Sequence, residues 1–365
     1  MADLPPSSLD SGELAELRDT VRSAASDSGY PEAVRALEES STGLDVDLWR
    51  LLAEDIGLAG VGLPEDLGGL GGLAEILAVA EELGATLAPV PFLTSTVLSG
   101  QVLAHAGAEA HPYVERVATG EIAGAAITDS LGRWDPEGVT CTADAATVTG
   151  MVRFVAHGAS AAFFVVAAKD AASGELRLLV VEAADAAVTA LPPLDFSRPM
   201  ASVTFTAAPA VLLASGGDAL SAVDAGVCVA LIATGADQLG GSQKCFDMTL
   251  DYIKTRKQFN REIGSFQAVK HRMADALMQV EMARSGLERV TWDESADLDV
   301  DAAVIKAWGS DSYNALAAEA IQLHGGIGFT WEHDAHLYFR RARFDAAFLG
   351  DAPFHRERIA DLQAW

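Results

Sequence analysis

Basic residues are scarce in this chain. Its 365 residues hold 25 Lys and Arg against 52 Asp and Glu, a formal charge of −27. Such a surface repels nucleic acid and anionic membranes, so neither is expected as a partner. It also repels polyanionic nucleotides, so any site for one requires a local basic patch. Cysteine is scarcer still. Cys141, Cys228 and Cys245 stand far apart without metal-ligand spacing. This argues against a disulfide scaffold or a metal centre and fits buried, reduced thiols in a cytosolic protein. No basic-plus-apolar leader opens the chain, and no apolar run approaches the length of a bilayer span. A soluble, cytoplasmic protein is expected. Disorder is not, because half of the residues are hydrophobic.

Three stretches stand out. Ile305, Trp308, Tyr313, Leu316, Ala320 and Leu323 recur near a 3.6-residue period, which predicts a helix ending at Gly325-Gly326, where positive φ is allowed and no Cβ blocks a close approach. That stop closes the motif Gln322-Leu323-His324-Gly325-Gly326. A second stretch is Arg256-Lys257-Gln258-Phe259, running through Ile263-Gly264 to Phe266-Gln267. The third is Leu63-Pro64-Glu65-Asp66-Leu67-Gly68-Gly69-Leu70-Gly71-Gly72, a fixed loop between helices. In this order, and over roughly residues 10 to 360, the three together resemble the acyl-CoA dehydrogenase family.

The resemblance implies a mostly α fold with a small central β domain. Its parts would be an N-terminal helical domain (1–118), a β-barrel-like domain (119–214) and a C-terminal four-helix bundle (215–365). The residues agree. Helical stripes (Leu14, Leu17, Val21; Leu73, Ile76, Leu77, Leu83) precede short β-like runs at 122–128, 139–148, 163–168, 176–182 and 201–206. Helical periodicity returns from Asp218, with an acidic connector from Asp293 to Asp301. The resemblance further implies FAD as cofactor and an acyl-CoA thioester as substrate. Arg256, Phe259, Gln267, Gln322, Gly325 and Gly326 would reach across a subunit interface to a neighbour's FAD. An arginine fork suits its pyrophosphate. On the chain's own β domain the flavin pieces are worn. Thr128 and Phe154 remain as ring contacts, but Ala156 replaces a hydroxyl, and alanine donates nothing.

The catalytic base is missing as well. In the family a Glu before a Gly takes the substrate's Cα proton; here that place falls on Leu349, followed by Gly350. The minority position, near Ala230, holds no acid either, and Asp224 and Asp237 lie about two turns away on either side. Asp351 is the one weak alternative. A lost general base costs on the order of 10²–10⁴-fold in rate. Kept cross-interface residues and a lost base together resemble the degenerate subunit of actinobacterial α2β2 acyl-CoA dehydrogenases that shorten steroid side chains. The expectation is a chain that lends FAD contacts to a homologous partner carrying the base. Its rivals are a self-sufficient homo-oligomeric enzyme using Asp351 and a non-redox scaffold of the same fold.

Overall fold

The computed structural model describes residues 4–40, 42–293 and 295–364. Five helices come first: α1 (Ser11–Asp27), α2 (Val46–Arg50), α3 (Leu73–Thr86), α4 (Gly100–Ala104) and α5 (His111–Ala118). Asp10 starts α1 with a capping box: it accepts from the Gly12 and Glu13 amides while Glu13 accepts from its own. The first residues read as a loose terminus, yet 7–9 are tied down. The buried Glu75 carboxylate accepts from the Ser8 and Leu9 amides and the Ser7 hydroxyl at 2.8–3.0 Å. Residues 1–3 lie outside the described residues.

Eight strands follow: β1 (Ala123–Ala126), β2 (Cys141–Asp144), β3 (Thr147–Ala156), β4 (Phe163–Asp170), β5 (Leu176–Glu182), β6 (Ala186–Ala190), β7 (Met200–Pro209) and β8 (Val211–Ser215). They form one sheet ordered β6-β7-β3-β2-β4-β5-β8, with β1 parallel to β4. In β4 the side chains alternate between two cores. Phe163, Val165 and Ala167 pack towards the helices, while Phe164, Val166 and Ala168 join Val181 and Phe205 in a second core belonging to the sheet. The run expected at 139–148 is in fact two antiparallel strands, turning at Ala145 with φ 50°. β6 and β8 were not expected, because their Ala- and Leu-rich runs show no clean alternation.

The last part holds α6 (Gly216–Thr255), a hairpin of β9 (Lys257–Gln258) and β10 (Arg261–Glu262), then α7 (Gln267–Trp292), α8 (Leu298–His324), α9 (Ala335–Ala347) and α10 (Ala352–Leu362). α6 and α8 pack at the centre, α7 and α9 lie against both, and α10 rests on α8. The expected four-helix bundle therefore carries one further helix. Half of the acidic connector is helix: Asp297 caps α8, and Asp299 and Asp301 sit in its first turn, where the helix dipole favours them. α6 corrects another expectation. Its apolar window is long enough to cross a bilayer, but 83% of it is buried inside the protein, so it is a core helix. α3 crosses it closely enough that a Cβ on Gly240 would stand 1.9 Å from the Glu81 carbonyl.

Candidate functional site

Two separate places gather the residues singled out above. The first is a cavity of about 280 Å³ between the sheet and the end of α9. β1 and its extension contribute Ala125 and Thr128, β3 contributes Phe154 and Ala156, and α9 with the loop after it contributes Phe344, Phe348 and Leu349. The connection from β6 to β7 closes one side with Leu191, Pro192, Pro193 and Leu194. Thr128, Phe154, Ala156 and Leu349 thus share one wall system, as a flavin and substrate pocket would require. Among the described residues, no carboxylate lines it.

Leu349 is held where it stands. Its φ is 58°, a left-handed conformation costing a branched residue on the order of 1 kcal/mol or more, so the surroundings must impose it. Its backbone bridges Arg133. The next carbonyl, Gly350, accepts from Lys306 Nζ at 2.8 Å. The same ammonium donates to the Ala346 carbonyl and to Ser310 Oγ, at 3.3 and 3.1 Å. Lys306 is fully buried, and burial pulls its pKa down to about 7, with Asp345 and Asp351 acting in the opposite direction.

Behind the cavity lies a buried charge cluster that the sequence reading missed. Arg341 donates to Asp195 at 2.6 Å, to Asp237 at 3.1 Å and to Ser197 Oγ at 2.7 Å. Arg198, itself part of the cavity wall, donates to Asp237 at 2.8 Å. Burial opposes the charge on Asp237, but Arg341 and Arg198 hold its carboxyl below the usual range. Asp345 is buried beside Asp237 and hydrogen-bonds to it, and burial with that neighbouring carboxylate pushes its pKa well up. Charges set in apolar surroundings, such as Arg341 and Asp345 one turn apart in α9, were the available signal.

The acids weighed as substitute bases are all engaged elsewhere. Asp237 sits in this cluster, and Asp224 accepts from Trp134 Nε1 at 2.6 Å. Asp351 is exposed and caps α10, accepting from the Phe354 amide at 3.0 Å. Neither Asp351 nor Ala230 lines the cavity.

The second place is one end of the bundle. Tyr252, in the last turn of α6, donates to the His324 carbonyl at the end of α8, with the two rings 4.4 Å apart. Gly264 folds back against Ile253, where a Cβ would come within 2.9 Å of the carbonyl. These contacts bring Arg256, the β9–β10 hairpin, Gln267 and Gln322-Gly325-Gly326 to the same end. Arg256, Phe259, Gln267, Gln322 and both glycines are exposed. α8 stops at Gly325 with φ 64°, and open space surrounds the backbone at Gly325 and Gly326. Phe259, with φ 52°, heads the hairpin turn and is 86% exposed. Residues 254–272 carry six Lys or Arg against one acid, Glu262, which is the local basic patch an acidic protein needs for a phosphate ligand. Among the described residues, Arg256, Lys254, Lys257 and Lys270 make no ion pair. His333 accepts from the Ala335 amide at 3.2 Å, His336 Nε2 is buried without a partner, and His271 is exposed. No group of three or more metal-ligating side chains occurs among the described residues.

Comparison with known proteins agrees with this geometry. Residues 11–121 match the acyl-CoA dehydrogenase N-terminal domain and residues 229–363 the acyl-CoA dehydrogenase C-terminal domain. The acyl-CoA dehydrogenase IpdE2 of Mycolicibacterium smegmatis is 36% identical over 97% of this chain and 99% of its own length. A variant of the Tcur3481-Tcur3483 steroid ACAD superposes with a TM-score of 0.86 at 30% identity, covering 97% of this chain and 98% of the other. The ChsE4-ChsE5 complex from Mycobacterium tuberculosis gives 0.84 at 29% identity, with 98% of each chain covered. The chain belongs to the acyl-CoA dehydrogenase family, whose members are FAD-dependent flavoproteins.

Proposed function

We propose that this chain is the non-autonomous subunit of a heteromeric, FAD-dependent acyl-CoA dehydrogenase. It lends Arg256, Phe259, Gln267, Gln322, Gly325 and Gly326 to the FAD of a homologous partner subunit, which carries the catalytic base. The supporting observation is the cavity lining: Leu349 occupies the wall where an acid is required, and no Asp or Glu replaces it. The bundle end suits the nucleotide half of FAD. Arg256, Lys254, Lys257 and Lys270 make no ion pair among the described residues and the Gly325-Gly326 backbone is bare, so phosphate oxygens can approach N–H donors and a guanidinium fork. The chain's own cavity suits the ring poorly, because Ala156 offers no donor.

When bound, FAD supplies the acceptor for the hydride leaving Cβ of an acyl-CoA thioester. In this reading the present chain positions that cofactor, and the partner's carboxylate takes the Cα proton. The heteromeric ChsE4-ChsE5 relative supports a two-subunit assembly, α2β2 in our reading. The steroid ACAD relative supports a steroid-derived acyl group. We further propose units at 1–118, 119–214 and 215–365, since α5 ends at Ala118 and strands run from Ala123 to Ser215. A cytoplasmic location is supported by three buried free cysteines.

The test is flavin stoichiometry. Purified alone, the chain should hold little FAD and turn over no acyl-CoA; co-purified with its partner, the complex should hold about one FAD per two chains. A lone chain that is yellow at one FAD per polypeptide and active would refute the reading.

A further inference from the structure

The two lent segments leave different helices, yet both must meet one ligand. Arg256 follows α6, and Gly325-Gly326 follows α8. Helix ends fray, and groups that serve one ligand must keep their places to within about 0.5 Å. Side-chain packing does not hold the glycines: among the described residues, nothing comes within 4 Å of a Cβ placed on either. The last turns of α6 and α8 therefore have to fix the spacing themselves.

Three rings meet there. His324, the residue before Gly325, touches Tyr252 at 4.4 Å between centroids and His333 at 4.2 Å, inclined by 30° and 48°. Its ring is buried, and Nδ1–H donates to the Ala320 carbonyl at 2.7 Å, which fixes its tilt. Burial lowers the pKa of both histidines, so near neutral pH their rings are uncharged and do not repel.

Each part of this cluster is tied to a lent segment. The Arg256 amide donates to the Tyr252 carbonyl at 2.9 Å, so the start of the hairpin hangs from the turn that carries the first ring. Tyr252 Oη donates to the His324 carbonyl at 3.3 Å, one peptide from Gly325. A Cβ on Gly328 would stand 3.1 Å from that of His324, so the chain beyond the glycines folds back over the same residue. His333 accepts from the Ala335 amide at the start of α9. Arg35, from the segment after α1, donates to the Trp331 carbonyl at 2.7 Å and to the Asp334 carboxylate at 2.6 Å, holding the loop that carries His333.

We propose that Tyr252 and His324 are positioning residues whose ring contact, backed by His333, sets the register between Arg256 and the Gly325-Gly326 backbone so that both reach the same dinucleotide. The assignment rests on the lending role. It adds that the two lent segments work as one unit, coupled through a contact that touches no ligand.

A double-mutant cycle tests the coupling, read as the FAD dissociation constant of the complex with the partner subunit. Tyr252→Leu, which removes the ring contact and the hydrogen bond, should weaken FAD binding about 10- to 30-fold. Introduced into Arg256→Gln, it should add less than about threefold, because a guanidinium that is gone cannot be misplaced. Tyr252→Phe keeps the ring and should restore the affinity to within about threefold of wild type. His333→Leu, at a half-buried position, repeats the cycle from the other side of His324 and should weaken binding about threefold in the wild type and not at all in Arg256→Gln. Losses that multiply in the double variants, as a general loosening of the fold would give, overturn the positioning role. So does a Tyr252→Phe complex as weak as Tyr252→Leu, or a His333→Leu complex of wild-type affinity. If Arg256→Gln alone leaves FAD binding unchanged, the lending role itself fails; if Arg256→Gln weakens it and Tyr252→Leu does not, the positioning role alone fails.

Discussion

Arginine stands in two unlike settings in this molecule. Behind the cavity, Arg341 and Arg198 are buried and wrapped by Asp195 and Asp237. At the bundle end, Arg256 is exposed and makes no ion pair among the described residues. A buried guanidinium survives only with partners, because desolvation costs several kcal/mol per ion. An exposed one carries no such constraint, and in a chain of charge −27 it has acids to choose from. The first kind joins the β6–β7 connection to α6 and α9 and so serves the fold. The second kind, standing unpaired, is free for the ligand role proposed for it.

The largest test of that contrast is Arg341→Met. It strands Asp195 in the interior and leaves Asp237 with Arg198 alone, and removing one partner of a buried pair costs about 3–5 kcal/mol. Urea unfolding should show that loss. A change below about 1 kcal/mol would mean that the interior arginine is as dispensable for folding as a surface one.

Arg256→Gln is the converse. In the complex with the partner subunit, FAD affinity should fall on the order of 10- to 100-fold, the worth of a charge-assisted hydrogen bond to phosphate. The unfolding midpoint of the lone chain should stay put. Flavin release measured by fluorescence separates the two readouts. A variant that loses stability but keeps its flavin would erase the distinction between the two arginine sites.

Lys306 sits between the two cases, buried like Arg341 but bonded from α8 to the loop that shapes the cavity. Its pKa, about 7 when folded, lies below that of an unfolded lysine. Between those values the unfolded chain binds more protons, so this group makes stability rise with pH, by up to about 1.4 kcal/mol per unit. Above roughly pH 8.5 the buried thiols of Cys141 and Cys228, raised by burial to about 11 and 12, act in the opposite sense. The window is therefore pH 7 to 8.5. There the wild type should gain about 1–2 kcal/mol relative to Lys306→Met in urea unfolding. Parallel stability curves would show that the amine keeps an ordinary affinity for its proton.

Much of this was legible before any coordinates. The helix stop at Gly325 and the loop of glycines after Pro64 are local features, fixed by conformational freedom, and the place of Leu349 followed from the family resemblance. The cavity wall from Leu191 to Leu194 and the Asp195, Asp237, Arg341 cluster were not. They join residues more than one hundred positions apart, and neither periodicity nor motif reports such pairings. The β2–β3 turn at Ala145 was missed for another reason: an alanine in a left-handed conformation leaves no Gly or Asn signal in the sequence.

The smallest expected effect decides between an assisted subunit and a self-sufficient enzyme. Asp351 is the acid nearest in sequence to Leu349, but its carboxylate is committed to the first turn of α10, where it accepts from the Phe354 amide. Asn caps a helix about as well as Asp, so Asp351→Asn should alter stability by no more than a few tenths of a kcal/mol. Asn cannot take a proton from carbon, however. If Asp351 were the base, acyl-CoA turnover would fall on the order of 10²-fold or more with the fold intact. If the base belongs to the partner, the complex carrying Asp351→Asn should turn over at the wild-type rate. Because the substitution keeps the cap and removes only the basicity, a fall in rate could not be assigned to a disturbed loop.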